Sequence, residues 1–197
     1  MTRDYFNLHA AGWEGNRSEK DAGKLAEMAA RLGLRAGMTV LDVGSGTGVF
    51  LPYLLGVIGE RGRVYAVDLA EAMLTESRRK GLGDRVRYLC ADATSIPLQA
   101  ATCDAAVCYS SLPHFPDKPM ALREMRRVLK PGGALYICHT SGREKINRIH
   151  SGVPVLRNDL LPDGVEMFQL LHAAGFKGVS VEDNPDSYFA VGKKGEE

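Results

Sequence analysis

Val40-Leu41-Asp42-Val43-Gly44-Ser45-Gly46-Thr47-Gly48 decides how this chain is read: an apolar run of buried-strand character, then three alternate glycines, then an apolar helix. Glycine lets the main chain turn sharply and lets a ligand lie against it with no Cβ in the way, while the next helix offers free N–H groups. The dinucleotide fingerprint G-x-G-x-x-G places a pyrophosphate at such a turn. Here the spacing is G-x-G-x-G, position 49 is Val, and Asp42 stands two residues before the first glycine. A carboxylate there repels polyphosphate and attracts a cationic ligand.

Working outward, Arg63-Val64-Tyr65-Ala66-Val67-Asp68 ends a second short strand in a carboxylate, about 20 residues on, where a ribose diol needs an acceptor. Asp68 could instead only cap the helix beginning near Glu71. Val86-Arg87-Tyr88-Leu89-Cys90-Ala91-Asp92-Ala93 repeats the pattern, with Asp92 as a turn residue the plainer reading. Cys103-Asp104-Ala105-Ala106-Val107-Cys108-Tyr109-Ser110-Ser111-Leu112-Pro113-His114-Phe115 is a fourth element, its apolar strand ending near Cys108. Lys130-Pro131-Gly132-Gly133 stops a helix and turns into a fifth strand ending at His139.

Five such elements in order resemble the class I S-adenosyl-L-methionine (SAM)-dependent methyltransferases, in particular the small stand-alone branch related to ubiquinone/menaquinone biosynthesis enzymes. The matches run over roughly residues 36 to 140. The resemblance implies a Rossmann-like doubly wound α/β sheet of strand order 3-2-1-4-5-7-6 with an antiparallel last strand. It also implies SAM as cofactor and S-adenosyl-L-homocysteine as product. The expected cofactor contacts are Asp42 and the loop Gly44, Ser45, Gly46 and Gly48; Asp68 for the ribose; Asp92 and Ala93 for the adenine. Leu69 and Met73 flank the adenine or the methionine chain, and Cys108 and Tyr109 meet the methionine end. The N-terminal aromatics, Tyr5 and Trp13 among them, resemble a lid over the cofactor.

The rest of the chain bounds the function. Its 197 residues, 45% hydrophobic, fit one globular unit, read as residues 36–197 preceded by an N-terminal lid and helix over 1–35. Lys+Arg 25 against Asp+Glu 24 leaves no strong field toward nucleic acid or acidic membranes. No Asn/Asp-Pro-Pro-Tyr/Phe tetrapeptide follows the fourth strand to hold a flipped base. Cys90, Cys103, Cys108 and Cys138 lack C-x-x-C spacing, and neither a signal peptide nor a membrane span is read, so a cytoplasmic protein is expected.

Alternating elements predict helices over 18–32, 48–58, 70–80, 117–129, 143–150 and 163–174. Strands are predicted over 38–43, 63–67, 85–90, 104–108, 133–139, 176–183 and 187–192. The acceptor is read as a small molecule, with His114, His139 and His150 as candidate catalytic groups near the sheet's carboxyl edge. His–His–Asp there could be an acid–base pair, a divalent-metal site or a polar loop; no metal is assigned. The rival functions are an NAD(P)-dependent oxidoreductase and a SAM-binding accessory protein without turnover. The sequence leaves the acceptor atom and the oligomeric state open.

Overall fold

Residues 2–15 and 21–196 are described by the computed structural model. Near-continuous apolar runs along the central strands dictate the architecture, because strands buried on both faces need helices on both sides. In β1 (Thr39–Val43), Val40 packs to one face with α2 (Ala22–Arg31) and α3 (Leu51–Ile58), while Leu41 and Val43 pack to the other. That second layer holds α5 (Lys118–Val128) and α7 (Gly164–Ala173). Next to β1 lie β2 (Arg63–Asp68) and β3 (Val86–Cys90) on one side, and β4 (Cys103–Tyr109) and β5 (Leu129–His139) on the other, all parallel.

β6 (Lys177–Asn184) and β7 (Ser187–Lys193) form a hairpin whose second strand inserts antiparallel beside β5. Among the described residues the sheet reads β3-β2-β1-β4-β5-β7-β6, the order the family resemblance implied. The order reverses between β1 and β4, so the crevice beyond their carboxyl ends is where a ligand belongs in such a sheet.

The boundaries shift for local reasons. The first expected helix was to begin at Ser18, which lies outside the described residues; α2 starts at Ala22, capped by Asp21, whose side chain accepts from the Lys24 N–H at 3.0 Å. The helix expected from 48 begins at Leu51, because residues 44–50 are spent on the turn between β1 and α3. Strand β5 pairs β4 already at Leu129, then skips to Ala134, so Pro131-Gly132-Gly133 interrupts a strand where a helix-to-strand turn was expected. Residues 1–13 carried no predicted helix, yet Thr2–His9 is α1 and Ala10–Gly15 a 3-10 turn. α1 lies on α4 (Glu71–Arg78): Asn7 Oδ1 accepts from the Ala72 N–H at 3.0 Å, and an Arg3–Glu71 ion pair sits outside. Between β5 and α7 lies α6 (Arg143–Ser151).

Candidate active site

A cleft of about 930 Å³, counted to its open mouth, lies over the carboxyl ends of β1, β2, β3 and β4. Its floor is the glycine loop. Gly44 and Gly48 both have positive φ, and both are also pressed by neighbours. A Cβ on Gly44 would stand 2.3 Å from Ser111 Cβ, and one on Gly48 would stand 2.1 Å from Ser77 Oγ. Gly46 faces open space and directs its N–H at Asp68 Oδ2, 2.8 Å away. The backbone N–H groups of Gly44 and Ser45 both donate to Val67 O, at 2.8 and 3.0 Å, so the loop is moored to β2.

Asp68 ends β2 with both carboxylate oxygens on main-chain donors, Gly46 through Oδ2 and Ala70 through Oδ1 at 2.8 Å. Burial raises its pKa, and those backbone donors oppose the rise. A carboxylate has about four acceptor directions, so two remain for a diol. Asp92 is both turn residue and cleft residue: Oδ1 accepts from the Thr94 N–H at 2.8 Å and the Thr94 hydroxyl at 2.7 Å, while Asp92 and Ala93 line the cleft. Leu69 and Met73 line it too.

Asp42 does not reach the lining. It is buried behind the loop, its Oδ2 without a hydrogen-bond partner among the described residues. Burial, and secondarily the Asp68 charge, push its pKa up to about 7. Ser45 and Gly48 likewise support the loop from behind.

Several expected positions fall elsewhere. Cys108 and Tyr109 point to opposite faces of β4, as strand neighbours must. Cys108 enters the α5/α7 layer, its Sγ 3.0 Å from Ser111 Oγ, and burial raises its thiol pKa to about 12. Tyr109 enters the α2/α3 layer, stacked on Phe50, with its hydroxyl 2.9 Å from Thr140 Oγ1. The cleft is lined instead by the next two residues, Ser110 and Ser111. Ser110 adopts φ 51, a conformation uncommon outside glycine, and its buried Oγ has no partner among the described residues. Ser111 Oγ donates to Val43 O at 2.7 Å, fastening β4 to the glycine loop.

Tyr5 also misses the cleft: it lies on His9, ring centroids 4.3 Å apart. Phe6 takes its place, packed edge-on against Trp13 at 5.2 Å and against His114 at 4.9 Å. The signal was present, since Phe6, Ala10 and Trp13 share one helical face at i, i+4, i+7 and cover Ala70 and Met73 together.

The three histidines separate. His114 lines the cleft, its Nδ1 2.9 Å from Asp159 Oδ2. His150 stands behind it, ring centroids 4.7 Å apart, with Nδ1 2.5 Å from the Asp159 carbonyl. His139, expected at the rim, is 1% exposed. Its side chain turns into the α5/α7 layer, edge-on to Tyr188 at 6.2 Å, and burial with the nearby His114 and His150 lowers its pKa to about 3. It is therefore a neutral group beneath the site. Among the described residues no cluster of three His, Cys, Asp or Glu is arranged to hold a metal ion.

A methyltransferase-domain family model matches residues 41–137. Ubiquinone/menaquinone biosynthesis C-methyltransferases from Klebsiella pneumoniae and Escherichia coli are 39% identical over 113 residues, 55% of this chain and 45% of theirs. The chain thus spans less than half the length of those curated relatives. A SAM-dependent methyltransferase from Aquifex aeolicus superposes with TM-score 0.73 at 30% identity, covering 88% of this chain and 94% of that one. The chain belongs to the SAM-dependent methyltransferases. This methyltransferase also shares its fold, at TM-score 0.82 and 22% identity over its whole length, with a chain in a Haloferax volcanii complex of a methyltransferase activator and a methyltransferase. The matched family segment stops at residue 137, so α1, Trp13, β7 and Asp159 are features of this chain outside it.

Proposed function

We propose that this methyltransferase binds SAM across the carboxyl ends of β1 to β4 and passes its methyl group to a small-molecule acceptor entering beside Phe6 and His114. The observation that carries this reading is the charge of the cleft. Successive strand ends supply Asp68 and Asp92 at the lining and Asp42 behind the loop, whereas among the described residues the lining holds one guanidinium, Arg3, already paired with Glu71 at 2.7 Å. A phosphate-rich dinucleotide finds no unpaired cation among the described lining residues to neutralise it. A cofactor with an adenosine, an amino-acid end and a sulfonium finds partners in the carboxylates.

The residues present fit such a group. Asp68 can accept from the ribose hydroxyls, and Asp92 and the Ala93 N–H can read the adenine edge, with Leu69 and Met73 against its faces. The unpartnered Ser110 Oγ suits the amino-acid end, and Asp42, buried behind the loop, can favour its ammonium by charge. When bound, the cofactor supplies an electrophilic methyl group; the protein's part is to hold the acceptor in line with it and exclude water. Phe6, Trp13 and Phe115 form an apolar wall for that purpose.

Isothermal titration with S-adenosylhomocysteine and, separately, NADH tests the reading. Binding of the first in the micromolar range without the second is expected; the reverse result overturns it, and with it returns the oxidoreductase. Labelled methyl transfer from SAM to extract small molecules then separates an enzyme from a binding protein without turnover.

A further inference from the structure

We propose that His114 is the catalytic base on the acceptor side and that Asp159 is its positioning residue, which assigns the acceptor to molecules whose reacting atom must lose a proton, such as a phenol or an enol. The inference rests on the SAM reading above and adds to it the acceptor chemistry.

Asp159 arrives from the segment between α6 and α7, and the chain is built to deliver it. Asn147 of α6 clamps that segment at both polar groups of Leu161, donating to its carbonyl at 3.1 Å and accepting from its N–H at 2.8 Å. His150, one turn along, holds the Asp159 carbonyl itself. On the other side, Lys118 Nζ donates to Pro113 O and Phe115 O at 3.0 and 3.3 Å, fixing the 3-10 turn that carries His114. Two separately braced segments therefore meet at one contact, His114 Nδ1 to Asp159 Oδ2 at 2.9 Å, with side chains 13% and 19% exposed.

That contact has a chemical consequence. A carboxylate can only accept, so it holds the proton on Nδ1 and leaves Nε2 with its lone pair as the nitrogen available to a molecule in the cleft. The Phe6 edge and the His150 ring confine the imidazole from two sides. A braced carboxylate, an oriented imidazole and a ligand cleft reproduce the base-and-orienter logic of acid–base sites on unrelated folds. In the transfer, the acceptor's proton passes to Nε2, the acceptor atom bonds to the methyl carbon, and the methyl–sulfur bond breaks with its electron pair left on a neutral thioether. The apolar wall of Phe6, Trp13 and Phe115 favours a flat, weakly acidic acceptor over a solvated thiolate.

The test uses the full chain with S-adenosylhomocysteine and a panel of phenols, catechols and aryl thiols as probes. Long-range proton–nitrogen NMR should show neutral His114 protonated at Nδ1, and Asp159→Ala should release it to the Nε2–H form. His114→Gln should lower transfer to phenolic probes by about 100-fold or more with S-adenosylhomocysteine affinity unchanged. Asp159→Ala should lower kcat by a smaller factor at an unchanged KM for SAM. An Nε2–H tautomer in the wild type, wild-type rates in His114→Gln, or transfer to aryl thiols alone each overturns the proposal. So does binding of S-adenosylhomocysteine with no transfer to any phenol. Failure to bind S-adenosylhomocysteine at all sinks the cofactor reading instead, and the tautomer still decides whether the pair exists as described.

Discussion

Asp68 holds two roles at once, because its oxygens tie the glycine loop to the entry of α4 and still face the cleft. Charged acceptors contribute about 1.5–3 kcal/mol per hydrogen bond, so Asp68→Ala should weaken S-adenosylhomocysteine binding by at least about tenfold. Calorimetry checks this, and the melting temperature of the ligand-free variant separates lost ribose contacts from a loosened loop. Asp42 makes a prediction of opposite character. The folded protein holds its proton more tightly than the unfolded chain, so its contribution to stability is complete below the ordinary carboxylate range and is lost as pH rises through about 7. Ligand-free Asp42→Asn should therefore be more stable than the wild type above that pH, the difference closing in mild acid, as urea melts across pH will show. A cationic amine in the cleft, across the loop from Asp42, favours its ionised form. Affinity for S-adenosylhomocysteine in the wild type should climb as pH rises toward about 7 and flatten in Asp42→Asn.

At the scale of elements, α1 carries few contacts of its own to the central sheet and touches α4 and the cleft mouth instead. Its apolar face is short, Phe6 and Ala10 with Trp13 beyond, and its outer Arg3–Glu71 pair is exposed enough to add little. The face that fastens α1 is the one that walls the cleft, so packing and ligand closure compete for the same side chains. Phe6→Ala should weaken S-adenosylhomocysteine binding with little loss of overall stability. Trp13, the single tryptophan, offers the readout: its fluorescence should change on titrating the wild type, and the change should shrink in Phe6→Ala. An unchanged affinity and signal would reduce α1 to a cover for α4.

At the scale of the molecule, α2 differs from α1 although the two were read together as an N-terminal piece over 1–35. Leu25, Met28 and Leu32 are buried in the same cluster as Phe50, Leu54 and Val64. Each such side chain contributes about 2 kcal/mol or more by leaving water. We propose that the separable lid is α1 with its 3-10 turn and that α2 belongs to the globular unit. A chain starting at Asp21 should keep a single cooperative urea transition and lose cofactor affinity. One starting at Ala36 should lose the transition midpoint sharply or fail to fold. Equal stability of the two would return the boundary to 35.

The succession of strands and helices, and the carboxylates Asp68 and Asp92 after β2 and β3, were legible in the sequence because they depend on local apolar runs and on what ends each strand; the strand order came from the family resemblance. The glycine loop was legible because all three glycines adopt positive φ in one local turn, whereas the neighbours that press Gly44 and Gly48, Ser111 and Ser77, come from elsewhere in the chain. What the sequence left open was which side chains meet across distance. That His139 is buried follows from strand parity together with β7 inserting beside β5, placing Tyr188 opposite it. That Ser110 and Ser111 replace Cys108 and Tyr109 in the cleft depends on how far β4 runs before its backbone turns. The His114–Asp159 contact joins residues 45 positions apart through an irregular segment whose course is set by Asn147 and His150, not by any periodic pattern. Periodicity encodes faces and ends. Only packing decides which ends share a site.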